Sequence, residues 1–138
     1  GVIIAAYEVT QRFEDAARMA ANSPCFGCPL DSGALLKAWR EGGAHGYWQE
    51  RLIQLERAPL PASLRHYNRG ALLAQLGKFE ESVAELQALV DLRHGGPVFF
   101  AVDPMLAPLA GYARFEDLLT RIGAPRSPTA SALHTAPR

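Results

Sequence analysis

The residues of this chain best equipped for chemistry are Cys25 and Cys28, separated by Phe26 and Gly27. A Cys-x-x-Cys pair can hold a metal through its thiolates or cycle between dithiol and disulfide. A structural zinc centre needs four ligands. The chain has no other cysteine, and His45, His66, His94 and His134 do not fall at the spacing of a ligand pair. Redox pairs of this type accompany a βαβ pattern, whereas Pro24, Gly27, Pro29 and Gly33 mark this segment as loop. Cys25 and Cys28 are therefore read as structural, with metal binding and redox cycling as the lesser readings. No metal and no cofactor are expected.

Catalysis of hydrolysis or group transfer needs a nucleophile with a base, two working carboxylates, or a metal. Two acid pairs exist, Glu14–Asp15 and Glu80–Glu81. Both fall in the first turn of an expected helix, where negative charge complements the dipole. His66 has Arg65 and Asn68 beside it, but no acid or nucleophile accompanies it in sequence. Gly42–Gly43 and Gly95–Gly96 read as helix stops rather than phosphate loops, because no strand precedes them. The chain is not expected to be an enzyme. Trp39, Tyr47 and Trp48 read as an aromatic cluster in the core. A ligand box formed by these three with Phe99 is the alternative.

Composition narrows the partners. The 138 residues include 14 basic and 14 acidic side chains, for a formal net charge of zero. A nucleic-acid binder would carry a basic excess, and so would a protein bound to an anionic membrane surface. Neither partner is expected. No apolar run reaches the length of a membrane span. The opening GVIIAA is too short, and lacks the basic flank, to be read as a secretory signal. Two cysteines make no disulfide framework, so cytoplasmic residence is the expectation. The first residue is Gly1 rather than Met, as in a fragment or a processed chain.

The elements that position these residues are helices throughout. Tyr67 to Leu76 is rich in Ala and Leu, which lose little entropy in a helix. Gly77 ends it with a residue tolerant of positive φ. Phe79 opens the next helix, where Val83, Leu86 and Val90 share one face before Gly95–Gly96–Pro97 stops it. Two helices joined so tightly lie antiparallel. Residues 11–16, QRFEDA, repeat the logic of Gly77 to Ser82, so 1–22 reads as a second hairpin with a shortened first helix. Its apolar start, GVIIAAY, would leave an open end suited to a partner or a second copy.

Between the hairpins, Asp31 or Ser32 caps a helix carrying Leu35, Leu36 and Trp39. Gly42–Gly43 breaks it, and a longer helix runs from Ala44 to Arg57 with Trp48, Leu52 and Leu55 inward. Glu50, Arg51, Gln54 and Glu56 are expected on its solvated side. After Pro97, residues 98–102 read as a single helical turn, with a strand as the minority reading. Asp103 and Pro104 start a short helix. Phe115, Leu118, Leu119 and Ile122 form the apolar stripe of the last helix, closed by Gly123. One helical domain is expected over 1–125. Residues 126–138 lack anything to bury and are expected to be a disordered tail.

The stretch 67–92, with Gly70, Gly77, Phe79 and Ser82 at its characteristic places, resembles one tetratricopeptide repeat, a family whose period is about 34 residues. Leu89 and His66 depart from the pattern and suggest looser packing. Segments 38–55 and 102–125 resemble the C-terminal helical region of multidomain bacterial regulators, a resemblance that covers about residues 31–125. The resemblance implies an all-α stack of antiparallel hairpins forming a short right-handed superhelix. It further implies a non-catalytic module that binds a peptide or partner helix in a groove lined by Arg65, Asn68, Leu72 and Gln75. Self-association through the N-terminal end would complete it. The alternatives are a small-ligand sensor with a pocket between the aromatic pair and the Phe99 turn, or a remnant of a larger regulator.

Overall fold

The structure, a computed structural model, describes residues 2–22, 30–93 and 96–123. Among the described residues every regular element is helical, so the fold is all-α. The order is α1 (Val2–Val9), α2 (Phe13–Ala20), α3 (Ser32–Glu56), α4 (Ala62–Gln75) and α5 (Phe79–Asp91). Two 3-10 segments follow, η1 (Gly96–Val102) and η2 (Pro104–Leu109), and then α6 (Ala113–Ile122). The cysteine loop and the C-terminal tail lie outside the described residues.

Helix α3 is two helices in one span. A straight helix from Asp31 to Gln54 would separate its ends by about 35 Å. Instead Asp31 N donates to Gln54 Oε1 at 2.9 Å, and Gln54 Nε2 donates to Asp31 O at 3.2 Å. The chain reverses at Gly43, whose φ of 63° and ψ of −151° fall where essentially only glycine goes. The expected break is therefore present, and the two arms of α3 form a hairpin. Asp31 caps its start by accepting from Ala34 N.

The turn residues with positive φ set the rhythm of the chain. Gln11 (φ 59°) separates α1 from α2, Gly43 (63°) divides α3, Gly77 (78°) separates α4 from α5, and Gly111 (83°) precedes α6. The three glycines follow one another at intervals of 34 residues. The repeated logic of residues 11–16 and 77–82 extends to the backbone. Arg12 has φ −91° and ψ 63°, and Lys78 has φ −88° and ψ 69°. Arg12 N donates to Tyr7 O as Lys78 N does to Leu73 O. Arg114 reaches Glu80, and Arg121 reaches Gln87, each partner 34 positions earlier.

Helix α4 is the common wall of two cores. Gly70 to Leu73 and Ala74 are all buried. Ala71 and Ala74 face α5, η1, η2 and α6 with Leu86, Phe100, Leu106 and Phe115. Leu72 faces α1, α2 and α3 with Ile4, Phe13, Tyr47 and Trp48. Helices α4 and α5 cross at Gly70, where an added Cβ would lie 2.9 Å from Leu86 Cδ2. Ser82 Oγ donates to Gly70 O across this contact at 2.6 Å. Leu89, expected to loosen packing, is fully engaged in the core. The segment after Pro97 is a 3-10 helix that buries Phe100, and Asp103 caps η2 by accepting from Met105 N.

Two substitutions test the turn geometry. Gln11→Gly relieves a left-handed non-glycine backbone and should stabilise the fold by about 0.5–1 kcal/mol. Gly46→Ala should destabilise it by about 2 kcal/mol or more, because the new Cβ would lie 2.5 Å from Ala38 O on the facing arm. Urea denaturation followed by circular dichroism measures both.

Candidate functional site

The most deeply buried charges lie where the first hairpin meets α3. Glu8 sits near the end of α1, one turn before the reversal at Gln11. Its Oε1 accepts from Tyr47 Oη at 2.7 Å and from Arg51 Nε at 2.7 Å. The side chains of Arg51 and Glu8 are only 12% and 2% exposed. Tyr47 and Arg51 stand four apart on α3, so one helical turn aims both at Glu8. Burial, then the neighbouring Glu8 carboxylate, push the Tyr47 hydroxyl well above its ordinary range, against the opposing pull of Arg51. Arg51 thus leaves the solvated side on which its helix register had put it.

This ion pair partitions two concavities. Arg51 lines a cleft of about 280 Å³ at the open end of the α3 hairpin. Its floor and walls are Leu30, Leu55, Leu60 and Leu72, with Asn68 and Gln54 as polar groups and Arg57 at the rim. Glu8 lines a wider groove of about 660 Å³ at the turn end. Val9, Phe13, Trp48, Gln75 and Pro104 contribute to that groove, so α1, α2, α3, α4 and η2 all take part.

The four expected groove residues separate. Gln75 reaches the wide groove and donates through Nε2 to Met105 O. Asn68 and Leu72 line the smaller cleft. Leu72, only 3% exposed, is a core side chain as well as a cleft wall, because α4 is covered on both sides. Arg65 belongs to neither lining. Its Nη2 folds onto the carbonyls of Ala58 and Leu60 in the connector.

The aromatic residues separate too. Phe13, unforeseen as a member, stacks within 4.9 Å of Tyr47, 5.1 Å of Trp39 and 5.4 Å of Trp48. That cluster is filled core. Phe99 is 64% exposed on η1 and packs in neither core cluster, so the expected pocket between it and the tryptophans does not form. Cys25 and Cys28 lie outside the described residues.

His66 does have an acid partner. Its Nδ1 lies 2.7 Å from Glu85 Oε2 on α5. Arg69 Nε approaches Glu85 Oε1 at 3.2 Å in a geometry that fails as a hydrogen bond, so its buried N–H is held by charge alone. The same arginine bonds Glu56 at 2.6 Å. The cluster ties α3, α4 and α5 together. Among the described residues no three His, Cys, Asp or Glu side chains converge as metal ligands. None of the described helices is long and apolar enough to cross a membrane.

No protein-family model matches the chain, and comparison with characterised proteins and with solved structures yields no match either.

The network makes two predictions. Glu8→Ala removes the buried carboxylate that meets both Tyr47 and Arg51 and should destabilise the fold by about 3–5 kcal/mol, read by urea denaturation. Tyr67, hydrogen-bonded to Asp103, is raised like Tyr47, by burial first. Folded-state hydroxyl pKa values above the unfolded value of ~10 stabilise fully below that pH and lose their contribution as pH rises past it. Melting temperature should therefore fall between about pH 10 and 11, and Tyr47→Phe should flatten the fall.

Proposed function

We propose that the protein is a non-catalytic interaction module built as a short tetratricopeptide-like stack of helical hairpins. The 34-residue spacing of Gly43, Gly77 and Gly111 supports that reading. So do the matching backbone of the two turns at Gln11 and Gly77 and the paired positions on α5 and α6. In such stacks each hairpin adds a strip to a shared extended surface.

The observation that carries the function is the groove of about 660 Å³, to which α1, α2, α3, α4 and η2 all contribute. A concavity of that volume shared among several elements suits a peptide or a helix of a partner protein. Val9, Pro104, Ala107 and Pro108 give it exposed apolar surface, with Gln11, His45 and Gln75 among them, which matches a segment carrying both apolar and polar groups. Among the described residues the titratable groups do not assemble as nucleophile with base. The close pair of His66 with Glu85 joins α4 to α5. Self-association is part of the proposal, through α1, where Val9 stays 44% exposed.

A random peptide library selected on the protein should yield ligands with dissociation constants in the micromolar range. Ala107 is an exposed groove residue on η2. Ala107→Trp should weaken those ligands at least about tenfold, a loss of about 1.4 kcal/mol, while Glu81→Trp on α5 leaves them unchanged. Equal binding to both variants would place the peptide elsewhere and reject the groove. Light scattering across a concentration series reports the self-association.

A further inference from the structure

The smaller cleft has a chemistry of its own, independent of the wide groove. Four leucines, Leu30, Leu55, Leu60 and Leu72, with Ala58 and Pro59, give it a continuous apolar lining. Leu55 and Leu72 are buried in the fold, so the floor is rigid core rather than surface. The volume of about 280 Å³ is roughly twice the ~150 Å³ cavity that holds benzene. It lies near the ~300 Å³ lower limit of small-ligand pockets, too small for a folded partner element.

The charges around it are unequal. Among the described lining residues, Arg51 and Arg57 stand against the single carboxylate of Asp31. Asp31 is committed to the start of α3, accepting from Ala34 N. Arg51 is met from behind by Glu8. Arg57 is exposed at the end of α3 and has no carboxylate partner among the described residues. Arg65 of α4 does not line the cleft but lays its guanidinium against the connector beside it, bonded to the Ala58 and Leu60 carbonyl oxygens rather than to an acid. Asn68 uses one amide N–H on Leu64 O and keeps a second N–H for an acceptor.

From this combination we infer that the cleft is a binding site for a small apolar monoanion, a carboxylate on an aliphatic or aromatic body of roughly a dozen heavy atoms. The apolar body fills the space over Leu55, Leu60 and Leu72. The carboxylate stays at the rim, where Arg57 and the Asn68 amide meet it with charge-assisted hydrogen bonds. Such a ligand adds no buried charge, because its head remains at the solvent edge.

The test uses octanoate, with octanol and octylammonium as isosteric neutral and cationic controls. Isothermal titration and protein-observed NMR on the full chain measure binding. Octanoate should bind, with nuclear Overhauser contacts from its chain to the methyls of Leu55, Leu60 and Leu72. Octanol should bind more weakly and octylammonium not at all. Arg57→Gln should weaken octanoate about tenfold while leaving octanol unchanged. Ala58→Trp should abolish both, and the Overhauser contacts to the unaltered protein decide the site if that variant folds poorly. Absence of octanoate binding, equal affinity for octylammonium, or contacts to residues outside the cleft would each overturn the inference. Peptide binding in the wide groove is measured separately and is untouched by these outcomes.

Discussion

A carboxylate held in the apolar interior dictates how the N-terminal half of this molecule assembles. Glu8 would be costly to bury alone. It is tolerable only because α3 brings Arg51 and the Tyr47 hydroxyl to the same oxygen. That requirement fixes the rotation of α3 about its axis and its height against α1. Any slip by one residue would turn Arg51 or Tyr47 away and leave Glu8 uncompensated. Buried ion pairs add little net stability over apolar substitutes, so the effect of this one is to select a single arrangement. The same selection seats Phe13 among Trp39, Tyr47 and Trp48.

Helix α4 then transmits that arrangement to the rest of the chain. It is enclosed on both sides, and its small residues let neighbours come close. Gly70 admits Leu86 at a distance that no larger residue would leave open. Leu72 reaches into the N-terminal core while Ala71 and Ala74 serve the C-terminal one. The two cores are therefore joined through α4 and through Met105 of η2, which packs against both. Both concavities are lined in part by this helix, so their relative placement is set by packing and not by loops.

Local features were legible in the sequence because local physics determines them. Gly43, Gly77 and Gly123 mark helix ends that need positive φ. Asp31 and Asp103 cap the elements that follow them. The likeness of residues 11–16 to 77–82 extends to their backbone angles, even though Gln11 carries a side chain where Gly77 does not. Contacts between distant parts were not legible. Arg51 reads as solvated from its own helix, since its partner stands 43 positions away. His66 finds Glu85 after 19 positions. Leu72 reads as a groove residue until α3 is seen to cover it. Phe99 reads as a pocket wall, but η1 buries its neighbour Phe100 and turns Phe99 outward, because successive side chains on a 3-10 turn point in different directions.

The equal spacing of Gly43, Gly77 and Gly111 bears on how such a chain can change over evolutionary time. Corresponding positions on α5 and α6 meet each other across that interval, Glu80 with Arg114 and Gln87 with Arg121. A duplicated segment of the same length would keep that interval, but it would set Glu80 against a copy of itself instead of Arg114, so a compensating change of charge would have to accompany it. Insertions of other sizes would rotate every downstream helix out of phase. Added length is therefore tolerated best in the connectors, where it leaves these cross-helix pairs in place.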